Sequence, residues 1–151
     1  ETTERPNITT LTFEETSQCS SIGIASFKHC TALQDIIMPN SVVSIGNDCF
    51  YNCVSVKTLI LSTNQDFETI SEYAFFNCNS IRNFTLGVGV STIGNYAFDR
   101  CDALANVTYK GTVEQWNLID KESSWDGDRN IRPGINCTDG HIAKDGVVTY
   151  N

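Results

Sequence analysis

Apolar residues recur along this chain in fixed columns, with neither a helical nor a simple alternating period over long stretches. Isoleucine stands at Ile22, Ile45, Ile70 and Ile93, and five residues later phenylalanine stands at Phe27, Phe50, Phe75 and Phe98. Three residues further come Cys30, Cys53, Cys78 and Cys101, then Leu33, Val56, Ile81 and Leu104. Each copy closes on a short apolar strand: Ile36-Ile37-Met38, Leu59-Ile60-Leu61, Phe84-Thr85-Leu86 and Val107-Thr108-Tyr109. A fixed period in this range predicts stacked coils, each burying its apolar face only against its neighbours. The expected architecture is a solenoid.

The copies are spaced 23, 25 and 23 residues apart, and the variation lies in the connection between strand and isoleucine. Length changes confined to one connection mark a surface loop, because packed columns lose burial when their register shifts. Leu11-Thr12-Phe13 then becomes the strand of an earlier, truncated coil, which makes about five strand rungs. In each strand the first and third residues point inward, so the middle one points outward. The outward stack is Thr12, Ile37, Ile60, Thr85 and Thr108, flanked by Thr10, Asp35, Thr58, Asn83 and Asn106. One position further out lie Gln34, Lys57, Arg82 and Ala105.

The columns also account for most of the 7 cysteines. Four form the repeat's own column. Cys49 shares a small-residue column with Ser26, Ala74 and Ala97, and Cys19 matches the apolar Val42, Phe67 and Val90. Only Cys137 stands outside the repeat. Buried free cysteine acts as a small hydrophobe with a weak donor, and here the thiols are placed to reach backbone carbonyls in the coil's turn. Rungs about 5 Å apart leave Cys30–Cys53 or Cys78–Cys101 crosslinks geometrically open, but an odd count spread through core columns favours free thiols. The paired C-x-x-C knuckle of a zinc site is missing.

The pattern I-G-x-x-[small]-F-x-x-C-x-x-L followed by a strand resembles the BspA-type leucine-rich repeat of bacterial and some protozoan surface proteins. The resemblance covers residues 8 to 109, with Ser71 in place of glycine and Cys49 in place of alanine. It implies a parallel sheet of short strands on one face and short extended or 3-10 segments on the other.

After Tyr109 the period stops. Thr112-Val113-Glu114-Gln115 reads as a capping box opening a short helix, whose Val113, Trp116 and Ile119 share one face suited to covering the last coil. Gly111 to Trp116, Trp125 and Cys137-Thr138-Asp139-Gly140 resemble the C-terminal cap that follows such repeats in bacterial members. Both tryptophans are expected in the cap's core, with carbohydrate stacking as the other reading. The expected organisation is an N-terminal tail over 1–7, a solenoid over 8–110, a cap over 111–142 and a tail over 143–151.

Composition limits the chemistry. The 151 residues suit one core, and no apolar run approaches a membrane span. A net charge of −8 argues against nucleic acid or an anionic membrane surface as partner. Without an initiator methionine or signal sequence, Glu1 reads as the start of a processed or trimmed chain. The acidic run from Asp126 through Asp128 to Asn130 lacks a calcium loop's sixth-place glycine, and Cys137 stands where its glutamate belongs. His29 and His141 lie in unrelated contexts, and no catalytic or phosphate-binding motif is present. Asn7, Asn83, Asn106 and Asn136 fit the N-x-[ST] pattern, though most of their threonines sit where strands favour them.

Function is therefore sought on the surface. A small apolar patch beside charge is a protein-recognition spot, and the expected contact residues are Asp35, Ile37, Lys57, Ile60, Arg82, Thr85 and Thr108. The resemblance implies a non-enzymatic adhesion or protein-binding module, secreted or at the cell surface, with no cofactor, metal, nucleic acid or membrane insertion. The alternatives are a structural spacer capping a longer repeat array and, third, a glycan-binding module. Nothing in Glu1–Asn7 has a pattern suited to covering Leu11 and Phe13, so a weak homodimer through the N-terminal end, or removed upstream repeats, is also expected.

Overall fold

Each coil lays one strand on each of two opposite faces. The computed structural model describes residues 7–14, 16–122, 124–127 and 133–151. Within the repeats the strands are β1 (Thr10–Leu11), β2 (Ser21–Ile22), β3 (Asp35–Ile37), β4 (Ser44–Ile45), β5 (Thr58–Ile60), β6 (Thr69–Ile70), β7 (Asn83–Leu86), β8 (Thr92–Ile93) and β9 (Asn106–Tyr109). Helix α1 (Val113–Leu118) follows, then β10 (Asp120–Lys121), β11 (Gly134–Asn136), β12 (Gly140–Ile142) and β13 (Val148–Tyr150). The main sheet has the order β1-β3-β5-β7-β9-β11-β12-β13. It is parallel from β1 to β11, and β12 and β13 join antiparallel. The opposite face carries β2 beside β4, and β6, β8 and β10 as a second small parallel sheet.

The repeat columns fill the space between the faces. The isoleucine, cysteine and aliphatic columns are buried, as are Phe50, Phe75 and Phe98. The phenylalanine rings stack along the solenoid axis, with centroids 5.3, 5.5 and 5.2 Å apart from Phe27 to Phe98. Phe27, at the first coil, has only one ring to stack against in this series and is half-buried. Inward and outward strand positions alternate as expected: Ile36 and Met38 are buried around exposed Ile37, and Leu59 and Leu61 around exposed Ile60.

Backbone hydrogen bonding between coils explains why the turn keeps its register. In the first coil Ala25, Phe27 and His29 donate their N–H groups to Asn47, Cys49 and Tyr51 of the next coil, at 2.8–2.9 Å. The alternate residues Ser26, Lys28 and Cys30 donate back to Gly23, Ala25 and Phe27. This arrangement needs two left-handed residues per coil, and the columns that supply them are Ala25, Asp48, Tyr73 and Tyr96, and His29, Asn52, Asn77 and Arg100. On the opposite face Gly46 and Gly94 donate their N–H to Ile22 and Ile70 at 2.8 and 2.9 Å. Ser71 instead donates its Oγ to the Ile45 carbonyl at 2.6 Å. The ladder of that face breaks there, between β4 and β6.

The C-terminal region differs from expectation in two respects. Helix α1 has the expected capping box, with Gln115 N–H donating to Thr112 Oγ1 at 3.2 Å and Thr112 N–H to Gln115 Oε1 at 2.9 Å. However, the coil pattern does not stop at Tyr109. β10 pairs with β8 in register, so Lys121 occupies the isoleucine column opposite Ile93. Tyr96 and Phe98 donate to the carbonyls of Ser124 and Trp125 as if to one more turn, and β11 adds another parallel rung beside β9. A degenerate fifth coil is built with non-repeat residues, which hides it from a search for columns. The segment 143–151 is no free tail either, because Val148–Tyr150 completes a hairpin against β12. Its residues are exposed, so pairing rather than burial holds it.

Candidate functional site

Strand pairing sets the outer face of the main sheet as rows crossing the rungs. Ile37 lies beside Ile60, Ile60 beside Thr85, Thr85 beside Thr108, and Thr108 beside Asn136. In the adjacent row Thr10, Asp35 and Thr58 are neighbours, and further along Asn83 and Asn106 pair, with the Asn106 amide donating to Asn83 Oδ1 at 3.3 Å. Ile37 and Ile60 are 51% and 45% exposed, side by side on a face otherwise built from hydroxyl, amide and carboxylate groups. Two adjacent exposed β-branched side chains form a small apolar patch.

Two clefts border this face, and they divide the expected contact residues between them. The first, about 280 Å³, is lined by Leu11, Thr12, Phe13, Glu14, Ile37 and Pro39. It lies at the N-terminal end, where Leu11 and Phe13 are half-buried; residues 1–6, expected to leave them uncovered, lie outside the described residues. The second cleft, about 450 Å³, is lined by Lys57, Asn79, Ser80, Arg82 and Ala103. Asp35, Ile60, Thr85 and Thr108 line neither. Leu11, Phe13 and Pro39 join Ile37 through the truncated first coil, and Asn79 and Ser80 join Arg82 because the turn after Cys78 runs beside the strand. The columns carry this information, but the turn residues Asn79 and Ser80 are absent from the surface read off the sequence.

A strip of aromatic rings was not foreseen. Tyr51 stacks on Phe76 with centroids 4.7 Å apart, and Tyr73 on Tyr96 at 5.0 Å. The Lys28 Nζ sits 4.3 Å from the Tyr51 ring centre and 2.8 Å from Asp48 Oδ1, and the Arg100 guanidinium sits 5.5 Å from the Phe76 ring centre. Stacked rings lend their faces to one another, and the protein's own cations lie over Tyr51 and Phe76. The strip holds coils together and leaves little ring face for a ligand. Its signal was present in two non-core columns, one residue after and two residues before the spine phenylalanine, where aromatic and charged residues mix.

All seven cysteines are free, with Cys19 and Cys137 half-buried and the other five buried. Burial pushes the Cys49 thiol, further raised by Cys53 beside it, up to about 12. Burial likewise raises Cys101 to about 12, and burial, reinforced by the neighbouring Cys53 side chain, holds Cys78 well above the ordinary thiol value of 9.0. A thiol kept protonated is a poor nucleophile and a poor metal ligand. Among the described residues no group of His, Cys, Asp and Glu is arranged to hold a metal ion, and no helix is long and apolar enough to cross a membrane. Asp128 and Asn130 of the acidic run lie outside the described residues.

In the cap, Trp116 is buried and Trp125 half-buried, edge to face at 6.1 Å. Lys121 donates to the carbonyls of Trp116 and Ile119 at 2.7 and 2.8 Å and lies 5.0 Å from the Trp116 ring centre. Desolvation lowers its pKa below the ordinary lysine value. Its ammonium thus satisfies the helix's last carbonyls, and its position in an apolar column follows from that role.

A family model described as BspA type leucine rich repeat region matches this chain in six copies over residues 3–119. The chain belongs to that family. Among solved structures, a leucine-rich repeat protein from Bacteroides ovatus ATCC 8483 is 28% identical with a TM-score of 0.54, covering 58% of this chain and 22% of the other. A leucine rich cell surface protein from Faecalibacterium prausnitzii A2-165 is also 28% identical, with a TM-score of 0.49, covering 69% of this chain and 33% of the other. This chain therefore spans well under half the length of either protein. A search of curated proteins gave no match. The match ends at residue 119, before the extra rung that β10 and β11 add at the C-terminal end.

Proposed function

We propose that this chain is a non-enzymatic recognition module of a cell-surface protein, binding a protein partner through the outer face of its main sheet. The observation that carries the reading is the exposed Ile37–Ile60 pair, adjacent in register on a face whose other side chains are polar. Isolated exposed apolar residues are ordinary, but a contiguous pair bordered by an apolar cleft is a recognition patch. Asp35, Thr85 and Thr108 supply the polar surround, and Lys57 and Arg82 the charge. The surface location draws on the family and on a relative named as a cell surface protein. The cleft of Leu11, Phe13 and Ile37 also supports weak self-association at the N-terminal end.

The test is a screen of an extracellular protein array with the wild type, an Ile37→Asp/Ile60→Asp variant, and a Tyr73→Ala variant of the opposite face, alongside sedimentation velocity. Partners retained by the Tyr73 variant and lost by the isoleucine variant support the reading. Partners retained equally by all three place recognition elsewhere, and the reading then fails.

A further inference from the structure

The second cleft has a chemistry of its own. In a protein of net charge −8, Lys57 and Arg82 line one cavity on adjacent rungs. Both are exposed, and among the described residues neither forms an ion pair; the salt bridge seen joins Lys28 to Asp48. No carboxylate lines the cleft, which is completed by the Asn79 amide, Ser80 and Ala103. The Ser80 hydroxyl donates to the Val54 carbonyl at 2.6 Å, which fixes that wall to the preceding coil. The two side chains start from neighbouring rungs whose backbones lie about 5 Å apart, so their cations repel each other, and an anion between them removes that repulsion.

We propose that the Lys57–Arg82 cleft is an anion-binding site that receives a carboxylate side chain of the protein partner. The guanidinium of Arg82 offers paired N–H groups that match a carboxylate, while Lys57 supplies a point charge and Asn79 a further donor. Ile60 lies three residues after Lys57, which immediately precedes β5, roughly 10 Å away along the extended chain. A partner placing an acidic side chain in the cleft therefore sets its next contact on the Ile37–Ile60 patch. A polyanion such as nucleic acid or a sulfated glycan fits less well, because the surrounding negative charge opposes it and the isoleucines offer it nothing. The proposal rests on the sheet face being a recognition surface and names the partner chemistry that face selects.

The experiment follows backbone amide resonances of the full chain at constant ionic strength during titration with acetyl-EGLL-amide, acetyl-QGLL-amide and sodium sulfate. The acidic peptide is expected to give saturable shifts at Ser80, Arg82, Ala103 and Ile60, at least about fivefold tighter than its glutamine counterpart. Lys57→Gln with Arg82→Gln is expected to erase that difference, and both side chains are exposed, so the fold is unaffected. Equal binding of the two peptides overturns the proposal, as does an absence of saturable shifts. Sulfate saturating the cleft while the acidic peptide does not also overturns it, because the site then takes a free anion. Failure of the underlying reading looks different: Ser80 and Arg82 respond to the acidic peptide while Ile60 stays unmoved.

Discussion

The Cys78 thiol donates to the Phe50 carbonyl oxygen one coil earlier, at 3.2 Å. Cys53 stands in the same relation to Phe27 at 3.1 Å, and Cys101 to Phe75 at 3.2 Å. The repeat's two signature residues are thus coupled: phenylalanine provides the stacked spine, and its carbonyl receives the cysteine of the next coil. That coupling gives the cysteine column a structural role and removes the need for disulfides or metal.

Native protein is expected to resist a thiol reagent at the five buried cysteines and to release seven thiols on denaturation. Mass spectrometry showing cystines in native material would contradict this. Replacing Cys78 with serine is expected to cost about 1–3 kcal/mol, because a shorter side chain reaches the carbonyl poorly and buries a hydroxyl. Alanine at the same place is expected to cost less than serine, since the Phe50 carbonyl also accepts the Cys53 N–H at 3.2 Å. Urea denaturation of both variants checks the order.

Alkaline pH tests two of the buried thiols by linkage. The Cys49 and Cys101 thiols have folded values near 12, above the ordinary 9.0. Below pH 9 they are protonated in both states and their contribution is complete. Between pH 9 and 12 the unfolded chain loses protons that the folded chain keeps, so stability falls, by about 1.4 kcal/mol per pH unit for each thiol. Denaturation midpoints measured across that window should fall less steeply in a Cys49→Ala/Cys101→Ala variant than in the wild type. Equal slopes would mean these thiols ionise freely in the native protein.

The columns made the coil, its inward residues and the outward Ile37–Ile60 pair readable, because burial repeats the same residue type at the same place. The left-handed turn residues were not readable. Ala25, Asp48, Tyr73 and Tyr96 share a backbone conformation without sharing a side-chain type, since hydrogen bonds from the neighbouring coil impose it. The fifth coil was hidden because Lys121 and Trp125 replace its apolar columns. The basic cleft was only half legible: Lys57 and Arg82 were identified, but its other wall comes from a turn twenty-odd residues after Lys57.

Gly46 has a steric reason that Gly23 lacks. A Cβ at Gly46 would lie 2.4 Å from the Ile24 nitrogen, backbone that cannot yield without separating the coils. At Gly23 the nearest atom is Ser26 Oγ at 3.2 Å, a side chain that can turn away. Gly46→Ala is expected to destabilise by roughly 2–4 kcal/mol and Gly23→Ala by under about 1 kcal/mol. Thermal or urea unfolding of the pair measures the contrast, and equal effects would contradict this packing.

The helix cap offers an independent check on the C-terminal closure. Thr112→Ala removes the acceptor for the Gln115 N–H and is expected to cost about 1 kcal/mol. Asp139→Ala, which removes the acceptor of the Val113 N–H at 2.8 Å, is expected to cost a similar amount. Because both bonds serve one helix start, the double variant measured by urea unfolding should depart from simple additivity.

The most direct measurement of the recognition surface pairs folding with binding in one variant, Ile37→Asp/Lys57→Glu. Both side chains are exposed beside strand residues that hold the core, so its urea midpoint is expected to stay close to that of the wild type. Its affinity for any partner selected by the wild type is expected to fall at least about tenfold, or about 1.4 kcal/mol. Unfolding of the variant would contradict the inside–outside assignment of the strands, and an unchanged dissociation constant would contradict recognition through this face.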